Sequence, residues 1–290
     1  MSATEIVPST ETMYRPRTAG RKAGNAFFRG LVLVLGLLAV APFFIIMYHV
    51  VVNGAGAINW AFLTQLPRPV GESGGGMVNS IIGTLLIIAL SVLLSVPFGI
   101  LAGVYLSENK RGTLSSATRL MVNVLQSIPS IVIGIVMYSW IVVPIRSFTA
   151  LAGGIALAVM MLPIVIKSSE EVLNLVPSGL KEGALALGVP YHTTILRMIL
   201  PSSLGGILSG VMLAIARIAG ETAPLLFTAF GNPYLNVNVL KPVDAIPLMI
   251  YNYAKSPYES WLKMAWGASL VLIVIIFLLN IAVRSRRERL

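Results

Sequence analysis

The sequence predicts an all-α integral membrane protein with about six transmembrane helices, and three observations carry that prediction. Of 290 residues, 56% are hydrophobic and only 11% are charged, less than half the charge of an ordinary water-soluble domain, about 25%. The apolar residues come in long runs instead of the short periodic stripes of a water-facing fold. The basic residues, 21 Lys and Arg against 11 Asp and Glu, flank those runs, where lipid headgroups and insertion topology place them.

Residues 1–26 are polar and basic, contain Pro8 and Pro16, and read as a surface tail. The apolar run Phe27–Val52 is too long for the core of a signal peptide and reads as a retained first span. Further spans are expected at 77–106, 120–143, 150–167, 202–230 and 262–283. About 20 residues cross the hydrocarbon at about 1.5 Å per residue, and Leu151–Ile166 is the shortest of the six. Pro97, Pro129, Pro163 and Pro224 fall within spans, as pathway-facing or simple packing kinks. The permease domain is expected over 27–283, with a basic tail at 284–290. An even number of spans puts both ends on one side. The segments of that side hold fifteen Lys and Arg, and those of the other side five, which makes both termini cytoplasmic. The segments on the far side are rich in Gly and Pro and read as irregular caps.

Several function classes fall away. With no cysteine there is no disulfide, thiol chemistry or Cys-based metal site. His49 and His192 stand far apart, and no nucleophile–base set or metal cluster is evident. The basic residues gather at span ends and form no stripe for nucleic acid. A self-contained secondary transporter would favour inverted repeats, and none is visible between the halves.

Residues 167–201 are the most informative stretch. Although on the cytoplasmic side, they are patterned as two short helices. Ser178 is placed to cap the first, whose Leu180, Ala184 and Leu187 share one face. Gly188 is placed to end it in a left-handed turn, with Pro190 beyond. Thr193 or Thr194 is placed to start the second, which carries Ile195, Met198 and Ile199 up to Pro201. An apolar face in a water-exposed loop asks for a packing partner, either this chain's own inner surface or another subunit.

The run Glu182-Gly183-Ala184, then Gly188, then Met198, Leu200 and Pro201 resembles the Glu-Ala-Ala…Gly…Ile-x-Leu-Pro signature of ABC-importer permease subunits. It departs at Gly183, where Ala is usual, and at Met198, where Ile is usual. Residues Ala216 to Ala229 (ARIAGETAPLLFTA) are similar to the fifth-span signature of PstA-type phosphate permeases. Pro97-Phe98-Gly99, Tyr105-Leu106-Ser107-Glu108, Ile128-Pro129-Ser130 and Leu162-Pro163-Ile164-Val165 extend the likeness over roughly residues 75–285.

The resemblance implies the type I ABC importer permease architecture and a non-catalytic transport subunit of a bacterial inner membrane, forming half of a phosphate pathway. Glu182, Gly183, Ala184, Gly188, Leu200 and Pro201 would form the surface coupling it to an ATPase. Implied partners are a dimer of ATPase subunits that holds ATP and Mg, a second, PstC-like permease, an extracytoplasmic phosphate-binding protein and membrane lipid. The chain has no G-x-x-x-x-G-K-[ST] loop and hence no cofactor site of that kind. A permease of the same architecture for another oxyanion or small solute is the alternative.

Arg217 and Glu221 lie four residues apart in the predicted fifth span, on one helix face. An Arg at mid-membrane costs about 2.5–3.5 kcal/mol on insertion scales, so it faces a partner or a wet cavity. Two readings follow: an ion pair that hides both charges, or an Arg217 that meets the passing oxyanion with its forked donors while Glu221 tempers the affinity. Thr222, Gln126 and Ser130 join the candidate pathway as neutral hydrogen-bonding groups. Asn123 and Ser127 are of the same kind. Gly205, Gly206 and Gly210 are expected to admit a neighbouring helix, within the chain in preference to a dimer seam.

Overall fold

In lipid a backbone N–H or C=O has no water to bond, so an apolar run must satisfy its polar groups within the segment, as a helix. A computed structural model describes residues 19–69, 72 and 74–287, and among these there is no β-strand. Residues 1–18 and 288–290 of the two tails lie outside the described residues.

The helices are α1 (Ala19–Gly54), α2 (Trp60–Thr64), α3 (Val78–Glu108), α4 (Thr113–Ser127), α5 (Ser130–Met137), α6 (Val143–Ile145), α7 (Ala150–Asn174), α8 (Ser178–Ala186), α9 (Tyr191–Thr194), α10 (Leu200–Ile218), α11 (Ala223–Thr228), α12 (Ile246–Ala254) and α13 (Glu259–Arg287). Two π-helical segments, Tyr138–Val142 and Ile195–Ile199, join α5 to α6 and α9 to α10. The chain divides into two units, residues 1–49 and 50–290. The described part of the first is helix from Ala19 on, ahead of the apolar run at Phe27.

In the second unit α7 is the central helix. Two-thirds of its apolar window is buried (67%), against 22% for α3 and 17% for α13. Its small residues Ala152, Gly153, Gly154, Ala156 and Ala158 are all buried and let neighbours approach. Helix α3 packs along it, and α4, α5, α10 and α11 also pack on it. The predicted shortest span is therefore 25 residues long and the most enclosed of all. It continues past Lys167 to Asn174 because Ser169 is buried in the bundle and Glu170 pairs with Arg119. Gly206 and Gly210 of α10 face α7, at Val172 and Ser168, so this small-residue seam serves packing within the chain.

Among the described residues five helices are long and apolar enough to cross a membrane, and α4 with Ser130–Ile145 makes a sixth span only as a bent pair, at 100°. The expected third span, 120–143, is thus broken at Ile128–Pro129. The proline drives the residue before it out of the helical region, and Ile128 is extended at φ −70° and ψ 129°.

The expected fifth span, 202–230, differs at both ends. It begins at Tyr191, since α9, the π-segment and α10 run on as one 28-residue helix. The π-segment lies directly before Pro201, whose missing N–H and ring would otherwise disturb the ladder. At the other end the helix stops at Ile218 and restarts as α11.

The long axis of α3, about 46 Å for its 31 residues, separates two ends of this unit. At the capped end, around Val78, a second core of Phe62, Met77, Ile246, Met249 and Ala268 sits under α2, α12 and the start of α13. The Gly- and Pro-rich segments expected there as irregular caps thus contain α12, whose first turn is received by Thr84: the Ile246 N–H donates to its Oγ1 at 2.8 Å. At the basic end, around Glu108, lie Lys110, Arg119, Lys181 and α8.

Candidate translocation pathway and coupling surface

The two broken spans meet. Gly134 of α5 lies against Pro224 of α11, so closely that a Cβ at Gly134 would stand 2.7 Å from the proline Cα. Ser130 opens α5 just after the first break, and Gln126 lies in the last turn of α4 before it. Glu221 and Thr222 occupy the second break, Ala219–Thr222, where Pro224 at the head of α11 and Gly220 interrupt the ladder. The predicted pathway residues thus lie at two breaks whose following half-helices, α5 and α11, meet at Gly134 and Pro224.

The structure changes one feature of the predicted charged pair. Glu221 is outside α10, so it shares no helix face with Arg217, and no ion pair involving either residue occurs among the described residues. Arg217 is exposed, off the buried stripe Ser203, Ile207, Val211, Ala214 and Ile218 that packs α10 into the bundle. Glu221 and Thr222 are half-buried. Gln126 accepts from Lys167 Nζ at 3.5 Å.

The coupling stretch is shorter than 167–201. Only Leu175–Pro190 leaves the two long helices, and α8 is its single regular element. Pro177, not Ser178, occupies the N-cap position, and no side-chain hydrogen bond caps α8. Its C-terminus is as expected: Gly188 has φ +76°, and the N–H groups of Gly188 and Val189 return to the carbonyls of Leu185 and Ala184, a Schellman ending. Of the predicted face only Ala184 turns into the bundle, 4% exposed, while Leu180 and Leu187 are 52% and 85% exposed. Glu182, Gly183 and Pro201 are exposed, and Leu200 is half-buried.

Two polar clusters were not foreseen. At the basic end Glu108, the last residue of α3, accepts from both Lys181 of α8 and the Tyr191 hydroxyl. Burial draws the Lys181 ammonium down, but the hydrogen bond and charge of Glu108 outweigh it and hold its pKa above the ordinary value. Beside it Arg119 pairs with Glu170 at 2.8 Å and donates to the carbonyls of Lys110, in the turn after α3, and Leu106, the latter one of the groups a helix end leaves unsatisfied.

At the capped end Asp244 accepts from Ser80 at 2.5 Å and Asn79 donates to the Asn232 carbonyl at 2.7 Å. Burial pushes the Asp244 carboxyl up to about 6, against the opposing hydrogen bonds of Ser80 and the Ala245 N–H. Burial and then the Asp244 charge push Tyr253 up to about 12. Asn79, Asn232, Asp244 and Tyr253 border a cavity of about 560 Å³ that Arg68, Asn252 and Trp261 also line. Asn and Pro in the 230–242 segment signal turns, but no local pattern ties Asp244 to a serine 164 residues away.

Residues 95–288 match the family of binding-protein-dependent transport system inner membrane components. The chain is 38% identical over 273 residues to the phosphate transport system permease protein PstA of Yersinia pestis, covering 93% of this chain and 92% of that protein. It is 41% identical to PstA of Pasteurella multocida, over 88% of this chain and 92% of the relative. An inward-facing structure of the MetNI methionine ABC transporter superposes with a TM-score of 0.63 at 20% identity, over 73% of this chain and 95% of that one, a likeness of fold. The conserved helical plan, the span-breaking prolines and the matched signatures point one way: the chain belongs to the binding-protein-dependent inner-membrane components, among the PstA permeases.

Proposed function

We propose that this chain is the permease subunit of an ATP-driven importer of inorganic phosphate, forming half of the translocation pathway. The observation that carries this is the likeness to PstA permeases over about nine-tenths of the chain. The geometry agrees with it at both ends of the task. Arg217 is exposed from its own bundle, in the last turn before a helix break, as a cation serving a pathway shared with a second, PstC-like permease would be. A guanidinium matches phosphate oxygens with forked donors, and Glu221, Thr222, Gln126 and Ser130 supply polar groups at or beside the two helix breaks.

Helix α8 presents Leu180, Leu187 and Glu182 outward, as a surface seated in a cytoplasmic ATPase dimer would. ATP and Mg would be held by that partner, and an external binding protein would deliver the solute at the capped end. Both termini would then be cytoplasmic, in accord with the bias of basic residues.

In proteoliposomes holding the full complex, Arg217→Lys is expected to lower phosphate uptake by roughly tenfold or more, about 1.4 kcal/mol of barrier, with assembly intact. Uptake at the wild-type rate ends the role given to Arg217. Phosphate-stimulated ATP hydrolysis by the wild-type complex tests the solute, and stimulation by a different oxyanion alone assigns the pathway to that anion.

A further inference from the structure

The end of α3 holds a charge where helix physics disfavours it. Glu108 is the C-terminal residue of α3, and a carboxylate there opposes the partial negative charge of the free carbonyls. It is compensated from outside its own helix. Lys181 of α8 and the Tyr191 hydroxyl at the start of α9 both donate to Oε2, and the Lys181 ammonium lies 4.9 Å from the centre of the Tyr191 ring. The side chains of Glu108 and Lys181 are 16% and 31% exposed, so the pair is partly shielded from solvent.

Two neighbours show what this cluster adds. The Arg119–Glu170 pair ties α4 to α7, both of them in spans, and so stitches the bundle to itself. Helix α8 lies outside the spans and turns only Ala184 inward. Its backbone is connected through two non-helical turns, Leu175–Pro177 and Leu187–Pro190, the second passing through the left-handed Gly188. The Glu108 cluster is its charged tether to a span. The tether also lands on a rigid body: α3 lies flush on α7, with Gly99 against Val165 and Gly103 against Ser169. A push on α8 that bends its flanking turns still reaches α3 and α7 through Glu108.

We propose that the Glu108–Lys181–Tyr191 cluster is a positioning contact that transmits displacement of α8 to the α3–α7 pair, so that energy applied at the coupling surface moves the spans. This rests on the importer reading above. Glu108 touches neither solute nor nucleotide and acts through the helices it joins.

The test compares full complexes in proteoliposomes carrying the wild-type chain, Glu108→Gln, Lys181→Met, and the exchange of Glu108→Lys with Lys181→Glu. Each single substitution is expected to lower phosphate taken up per ATP hydrolysed by roughly fivefold while hydrolysis persists, and the exchange to restore the ratio to within about twofold. A ratio unaltered by both single substitutions overturns the proposal. So does a parallel loss of uptake and hydrolysis that the exchange fails to repair, which marks a contact needed only for folding. A second readout is independent of the solute: ATP-induced change in hydrogen exchange at the last turn of α3, expected in the wild type and absent in Glu108→Gln. If the wild-type complex takes up no phosphate, the phosphate reading fails, and this exchange measurement still decides for or against the contact.

Discussion

The two ends of α3 are held by different chemistry. At the capped end the grip is enclosed, a carboxyl held by uncharged donors. Ser80 and Asn79 donate to Asp244, Thr84 receives the first turn of α12, and an apolar core closes around them. At the basic end the grip is ionic and half-open, through Glu108 with Lys181 and Arg119 with Glu170. Enclosed hydrogen bonds are costly to leave unmade, whereas partly exposed ion pairs hold by about 1 kcal/mol or less. The polar contacts of the capped end are therefore the costlier to break, and those of the basic end the easier to exchange.

The largest expected effect is at the enclosed end. Thr84→Val keeps the shape of the side chain and removes the acceptor of the Ile246 N–H. A buried donor left without a partner costs about 1–3 kcal/mol, so thermal unfolding of the detergent-solubilised protein should begin earlier. An unchanged unfolding temperature would show that the cap of α12 contributes nothing.

Next comes pH. Asp244 has a higher carboxyl pKa folded, about 6, than the ordinary 3.8, so the folded form binds the proton more tightly. Its contribution to stability is full at low pH and is lost as pH rises from about 4 through about 6. Between about pH 7 and about pH 5 the capped end should gain about 1 kcal/mol. The protection factors of the α12 amides, corrected for the intrinsic pH dependence of exchange, should rise accordingly, and Asp244→Asn should abolish the rise. The neighbouring Tyr253, pushed up to about 12, stays neutral throughout this range. Wild-type protection factors that ignore pH would place Asp244 in open solvent.

The smallest effect belongs to the ionic end. Raising ionic strength to about 1 M, where the Debye length falls to about 3 Å, should loosen α8 by less than about 1 kcal/mol and leave α12 unaffected. Equal responses at the two ends would erase the contrast.

Much of the plan was legible in residue order. Long apolar runs fixed the helical class and the location of the spans, because lipid leaves the backbone no alternative. The Gly188 turn and the apolar pattern of α8 were legible too, since a left-handed ending and a helical period are local properties. Composition misjudged α7, where Lys167 to Glu171 look like loop but remain helix against Ser169's buried site and Arg119. It also drew a straight fifth span through Gly220 and Pro224, so that Arg217 and Glu221 shared a face they do not share.

By itself, then, the sequence determined the solvent, the helical class and the family signatures, all of which depend on residues near one another along the chain. Only the tertiary structure decided which half-helices meet at Gly134 and Pro224, which serine receives Asp244, and that Glu108 holds Lys181. Those are pairings between distant segments. Their partners are chosen by how helices pack, through shape and burial that no local pattern records.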